Sequence, residues 1–411
     1  MTEHKPSTLL RQHVPGAHAR VTFVELFFDL VFVFAITQLS HSLLNHYTPV
    51  GLTETAFLTL AVWWVWIYTS WATNWLNPQS TPVRILLFSM MAAGLVLSSS
   101  IPEAFGEKGL AFAAAYVAMQ LVRTTFLTLA LRKHSPANYR NFQRILIWLG
   151  TSGAFWIAGG FLEHEQRWIA WGIALSLEAI SPALLFWVPG MGQSQTTDWN
   201  VSAEHFAERC ALFVIIALGE SLLVTGGVFA GQVWTPMSMA AFGVCLAGTL
   251  AMWWVYFSVA AEDASEEFTR SDDTGRIARS AYTYCHIPLI AGIILSAVSD
   301  EFVLGHPDHH AEPMQAIAIL GGPALFLFGN LIFKRTVFES VPLSHIVGLV
   351  LLGALVLAVP YAPIIVLAGA AALVMLITGV WENWSVGKWH KAHPEWRAAG
   401  GFHGKPPEHE P

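Results

Sequence analysis

Charge is what this sequence has least of. Only 12% of its 411 residues are Asp, Glu, Lys or Arg, about half the share found in ordinary soluble domains. That scarcity excludes a conventional water-soluble domain, and it offers no basic surface on which a nucleic acid would bind. Cysteine is scarce too. Cys210, Cys245 and Cys285 all lie in apolar stretches without CxxC spacing, so they read as small buried hydrophobes and not as a disulfide frame or metal site. No Walker sequence, GxSxG, HExxH or glycine-rich nucleotide fingerprint occurs, so the motifs give enzymatic chemistry no positive support and imply no cofactor. The first 20 residues are polar and contain no short apolar core followed by a small-residue cleavage site. No removable signal peptide is therefore expected.

Apolar runs are abundant. Hydrophobic residues make up 54% of the chain, with 18 Trp and 26 Phe, as expected of a membrane-embedded bundle with aromatic residues at its interfaces. Runs long enough to cross a bilayer as helices fall near 21–44, 52–76, 83–101, 109–132, 141–161, 167–188, 204–230, 236–261, 277–299, 314–333, 342–359 and 361–384. The reading is an all-α polytopic bundle of about twelve spans in the lipid bilayer. Of 21 Lys and Arg, Arg123 and Arg209 lie within spans. With the N-terminus inside, Lys108 and Arg167 fall outside, and the other seventeen fall on the cytoplasmic side. This positive-inside bias places both termini in the cytoplasm, which needs an even number of spans and favours twelve over eleven.

Short strings recur in order. Phe23-Val24-Glu25 returns as Phe206-Ala207-Glu208, Trp63-Trp64-Val65-Trp66 as Trp253-Trp254-Val255-Tyr256, and Ala93-Gly94-Leu95 as Ala291-Gly292-Ile293. The offsets grow slowly along the chain, as a duplication with small insertions gives. The expected organisation is a polar tail over 1–19, six-helix repeats over 20–188 and 204–384 joined by a turn-rich linker over 189–203, and a polar tail over 385–411. An even number of spans per unit makes the repeats parallel.

Inside these spans sit seven ionisable groups: Glu25, Asp29, Arg123, Glu178, Glu208, Arg209 and Glu220. A charge at bilayer depth costs roughly 2.5–3.5 kcal/mol on insertion scales and persists when paired or facing a cavity. Glu25 and Asp29 are four residues apart, so they share a helix face. Two carboxylates so placed cannot both ionise easily in a low dielectric, an arrangement suited to a proton or a cation. Arg209 and Glu220 are about three turns apart, leaving room for partners from other helices. Arg123 needs a carboxylate, which the first or seventh span could supply. Glu178 is a lone acid before Ser181-Pro182. Trp63, Trp64, Trp253 and Trp254 either wall a solute path or fill space between repeats. The loop histidines His306, His309 and His310 read as solvated rather than as a metal site.

The run Val21-Thr-Phe-Val-Glu-Leu-Phe-Phe-Asp-Leu-Val-Phe-Val-Phe-Ala-Ile-Thr-Gln-Leu-Ser40 resembles the opening of the bacterial low temperature requirement A family. Glu208-Arg209, Leu218-Gly219-Glu220-Ser221 and Trp253-Trp254-Val255-Tyr256 extend the likeness over roughly 20–384. The resemblance implies a multi-pass bacterial inner-membrane protein linked by name to growth in the cold, and it assigns no residue a role. The leading functional reading is a secondary transporter of an unknown small solute. Glu25, Asp29 and Glu220 would handle a proton or cation, and Arg123 and Arg209 would pair with them or meet an anionic solute; Glu208 is a further site candidate. The alternatives are an ion channel and a non-transporting membrane protein that supports growth in the cold.

Overall fold

A computed structural model describes residues 9–11, 20–199, 201–258 and 260–392. Its elements, in order, are α1 (Phe23–Asn45), α2 (Pro49–Trp75), α3 (Thr81–Ser100), α4 (Gly109–Leu131), α5 (Pro136–Phe161), α6 (His164–Ile180), α7 (Ala203–Ala230), α8 (Pro236–Phe257), α9 (Ala260–Arg270), α10 (Thr274–Ile277), α11 (His286–Gly305), α12 (Pro313–Phe338), α13 (Leu343–Leu355) and α14 (Ile364–Ala392). Among the described residues there is no strand, only isolated bridges. The protein is all-helical.

Local sequence explains where helices begin. Proline, which needs no helical N–H donor in the first turn, opens α2, α5, α8 and α12. Ahead of α8, the Thr235 hydroxyl accepts from Ser238 N at 3.1 Å, a capping box.

Among the described residues, nine helical stretches are long and apolar enough to cross a membrane: α1–α4, α7, α8, Thr274–Gly305 (which ends in α11), α12 and α14. The remaining three apolar runs also lie on helices. α5 starts with the polar stretch Pro136–Arg144, α6 has only 17 residues and opens His164-Glu-Gln-Arg167, and α13 has 13. Some boundaries differ from the sequence expectation. α6 stops at Ile180, and the chain turns through Leu185 and Phe186 at φ of 52° and 51°. α11 begins at His286 after a π-helical stretch, Ala278–Tyr284. α14 continues through 385–392, residues expected to belong to a polar tail. Most of 1–19, together with 393–411, lies outside the described residues.

The chain forms two compact units. The first comprises the chain up to Ser42, Val50–Arg209 and Asp272–Arg279. The second comprises Leu43–Pro49, Cys210–Ser271 and Ser280 onward. In the first, α4 packs on α3 and α5, and α5 on α6. The aromatic core there includes Tyr116, Trp156 and Trp171, with ring centroids 4.5 and 5.2 Å apart in sequence. In the second, α11 lies against α12 and α14 against α8 and α13. Glycines set the α11–α12 crossing: a Cβ on Gly292 would meet Phe326 N at 2.5 Å, and one on Gly329 would meet Leu289 N at 2.8 Å. Small residues at a membrane interface let two backbones approach this closely.

Candidate functional site: the buried charge networks

In the first unit α1 and α7 bring Glu25, Asp29 and Arg209 together, all fully buried. Arg209 Nη2 donates to Asp29 Oδ1 at 2.6 Å, and its Nη1 donates to Glu25 Oε1 at 3.3 Å and to Thr73 Oγ1 at 3.1 Å. The Trp66 indole N–H adds a bond to Asp29 Oδ1 at 2.8 Å. A second cation enters from the chain preceding α1. Arg11 Nη2 lies 2.9 Å from both Glu25 oxygens. Its Nε donates to the carbonyls of Thr73 and Leu76 at the end of α2, where Leu10 also bridges to Leu76.

His205 completes the network. The Asn74 amide, oriented by its two bonds to Ser202, presents its other N–H to His205 Nδ1 at 3.2 Å. Accepting there makes the imidazole neutral with its proton on Nε2, which faces Glu25 Oε1 at 3.0 Å and also lies 3.0 Å from Arg11 Nη2. Two arginines and two carboxylates therefore cancel. Asp29 Oδ2 and Arg209 Nε are the network's buried atoms without a hydrogen-bond partner among the described residues.

Glu178 sits in a separate cage. Its Oε2 accepts from Tyr116 Oη and Gln120 Nε2, both at 2.7 Å, and its Oε1 from Ser152 Oγ at 2.5 Å and Trp156 Nε1 at 3.0 Å. Four donors fill the capacity of a carboxylate and tie α4, α5 and α6 into one node. Arg123 meets no carboxylate among the described residues, contrary to the sequence expectation. It donates to Gln120 Oε1 at 2.5 Å, Thr69 Oγ1 at 3.1 Å and the Val65 carbonyl at 3.3 Å, and it stands over the Tyr68 ring. Gln120 thus couples arginine and acid without direct contact.

Other expected residues lie elsewhere. Glu208 is exposed, and its Oε2 accepts from Val21 N at 3.0 Å. Adjacent helical positions are about 100° apart, so burying Arg209 turns Glu208 outward. Trp63 and Trp64 are buried, whereas Trp253 and Trp254 are 44% and 40% exposed. The two tryptophan pairs therefore occupy different environments.

The second unit holds Glu220, buried on α7, and two acids that the sequence reading passed over. Glu382 of α14 accepts from Lys334 Nζ of α12 at 2.7 and 2.6 Å, and His345 Nε2 lies 3.3 Å from the same nitrogen. Lys334, expected in a cytoplasmic loop, is thus buried. Asp300 of α11 has no ion-pair partner among the described residues. Its Oδ2 accepts from Thr225 Oγ1 at 3.2 Å. Both acids lie at the margins of apolar runs, where a window centred on hydrophobicity gives them little weight. Among the described residues, no group of three or more His, Cys, Asp or Glu could hold a metal ion.

Among the described residues, nine apolar helices of spanning length, no strand and charged groups buried between helices define a multi-pass membrane protein. The family model for the bacterial low temperature requirement A protein matches residues 20–380, and the chain belongs to that family. It is also 39% identical over 363 residues to an uncharacterized protein of Rhizobium meliloti (strain 1021), covering 88% of this chain and 89% of that one. No solved structure matches the chain.

Proposed function

We propose that this chain is a proton- or cation-coupled secondary transporter of the bacterial inner membrane, acting on a small solute. One observation carries the reading. Asp300 is buried in the second unit without an ion-pair partner among the described residues, while the lysine buried in that unit already serves Glu382. A carboxylate in such a place is expected to bind a proton or cation. The Glu25–Asp29–Arg11–Arg209 network then holds the first unit together, and the acids of the second unit handle the ion.

The wider architecture is part of the same proposal. α5, α6 and α13 join the nine apolar helices to give twelve spans, arranged as parallel repeats over 20–188 and 204–384, with both termini cytoplasmic. Removing the buried or network-bound Arg11, Arg144 and Lys334 from the seventeen inside charges, and Arg167 from the two outside, leaves fourteen against one. The supporting asymmetry survives.

The test is flux through the purified protein in sealed vesicles containing a pH-sensitive dye, with ion gradients imposed across a panel of small solutes. Gradient-driven exchange that disappears in D300N is the expected result. Single-channel steps in planar bilayers would establish the channel alternative instead. Folded protein with neither exchange nor current would leave a non-transporting membrane protein.

A further inference from the structure

Within the first unit, one end of the α3–α4–α5 layer carries side-chain charge of a single sign. Arg84 is the fourth residue of α3, Arg132 and Lys133 follow α4, and Arg140 is the fifth residue of α5. All four are exposed. The packing of α4 on both α3 and α5 holds these ends together. So does the contact of the Trp75 ring, at the end of α2, with Phe142 of α5, their centroids 5.3 Å apart.

Nothing on these helices answers the charge. The chain has no Asp or Glu over 55–102 or 108–162, so Glu103, Glu107 and Glu163 fall in the turns at the opposite end of the layer. Arg132, Lys133 and Arg140 have no ion-pair partner among the described residues. Arg84 donates to neutral groups, the Pro78 carbonyl at 3.2 Å and Gln79 Oε1 at 2.9 Å. Neither α3 nor α5 has an acid in its first turn, so the partial positive charge of each N-terminus adds to that of the side chains. In the second unit, by contrast, Arg270 pairs with Glu266 and Lys334 with Glu382.

Each cation stands above an exposed apolar side chain on its own helix. Arg84 precedes Phe88 by four residues, Arg132 follows Leu129 by three, and Arg140 precedes Ile147 by seven. Those spacings put each pair on one helix face, with the apolar member deeper along the span. We infer that this surface binds an anionic phospholipid, whose headgroup phosphate meets Arg132, Lys133 and Arg140, flanked by Arg84, and whose acyl chains lie along Phe88, Leu129 and Ile147. Basic clusters beside membrane-spanning helices recognise such headgroups. A free phosphate would answer the charge but leave the apolar row uncovered. A zwitterionic lipid would cover the row but bring a further cation to the surface. The assignment is independent of any transported solute.

Native mass spectrometry of the full chain in detergent micelles, titrated with phosphatidylglycerol or phosphatidylcholine, measures the two lipids separately. Phosphatidylglycerol should bind about tenfold or more tightly, and R132Q/K133Q/R140Q should remove most of that preference. K133Q alone, at a turn position, should cost about fivefold and supplies the reading should the triple variant aggregate. R335Q/K388Q/K391Q removes equal charge from exposed positions of the second unit and should keep the wild-type preference. Equal loss in the two triple variants would reduce the effect to general charge attraction and overturn the assignment. So would a wild-type protein that binds both lipids alike, or a K133Q protein with unchanged affinity. If inorganic phosphate at the same concentration displaces phosphatidylglycerol, the occupant is a free phosphate and the lipid assignment is wrong.

Discussion

In the first unit two carboxylates face two arginines, and a neutral histidine and a tryptophan fill the gaps between them. In the second, one lysine is held by one glutamate, and a further acid stands beside a small, mostly apolar cavity. The family signature around Glu25 and Asp29 thus lies where buried charge is already cancelled. The less conspicuous Asp300 lies where it is not. A concentration of ionisable residues marks where a fold needs internal bonding. The place where bonding is incomplete is the better guide to a ligand.

That contrast can be broken experimentally. Its most severe test is R209M, which takes from Asp29 its ion-pair partner among the described residues and leaves Glu25 with Arg11 as its cationic partner there. Removing one partner of a buried pair destabilises by about 3–5 kcal/mol, so little folded protein should survive size-exclusion chromatography. A stable R209M protein would mean that the first network is not structural. K334M strands a single acid and should destabilise at the lower end of that range. Adding E382L should restore most of the loss, since apolar replacement of a buried pair is often near neutral; a melting-temperature cycle over the four proteins measures the recovery.

E178Q replaces one acceptor oxygen with an amide donor that faces the donors of its cage and should destabilise by about 1–3 kcal/mol, read as a lower melting temperature with ion dependence unchanged. D300N should leave the melting temperature in choline chloride nearly unchanged, because it removes a buried charge that has no ion-pair partner among the described residues. A fall as large as that of R209M would erase the distinction between the units. E208Q, at an exposed position, should show no measurable shift.

Much of this was legible in the sequence, for reasons that can be stated. Glu25, Asp29 and Arg209 stand out because each interrupts an apolar helix, and the four-residue spacing of the acids puts them on one face. Arg11 was hidden because it precedes the first span in a polar stretch, where an arginine is unremarkable. The bridge of Leu10 to Leu76 and the bonds of Arg11 to the end of α2 set it against Glu25. Glu208 misled because it interrupts a run whose neighbours, Ala207 and Arg209, are both buried, while Glu208 itself is exposed. Arg144 and Arg167 counted as loop charges, yet they bond the carbonyls of Met191 and of Gly159, Leu162, Ala104 and Gly106, fastening turns between helices. Ser296 reads as one small residue among many. That its hydroxyl goes unbonded among the described residues is a property of packing that no local pattern records.

The bond between Asp29 and Arg209 also spans time. The two residues are 180 apart in the chain, and at ~5–20 residues per second of synthesis the acid emerges on the order of 10–40 s before its cation. Throughout that interval α1 carries two carboxylates, and the permanent counter-charge within reach is Arg11, made moments earlier. Arg11, paired with Glu25 in the folded protein, is thus a counter-charge already translated when the helix that carries Arg209 is still to come.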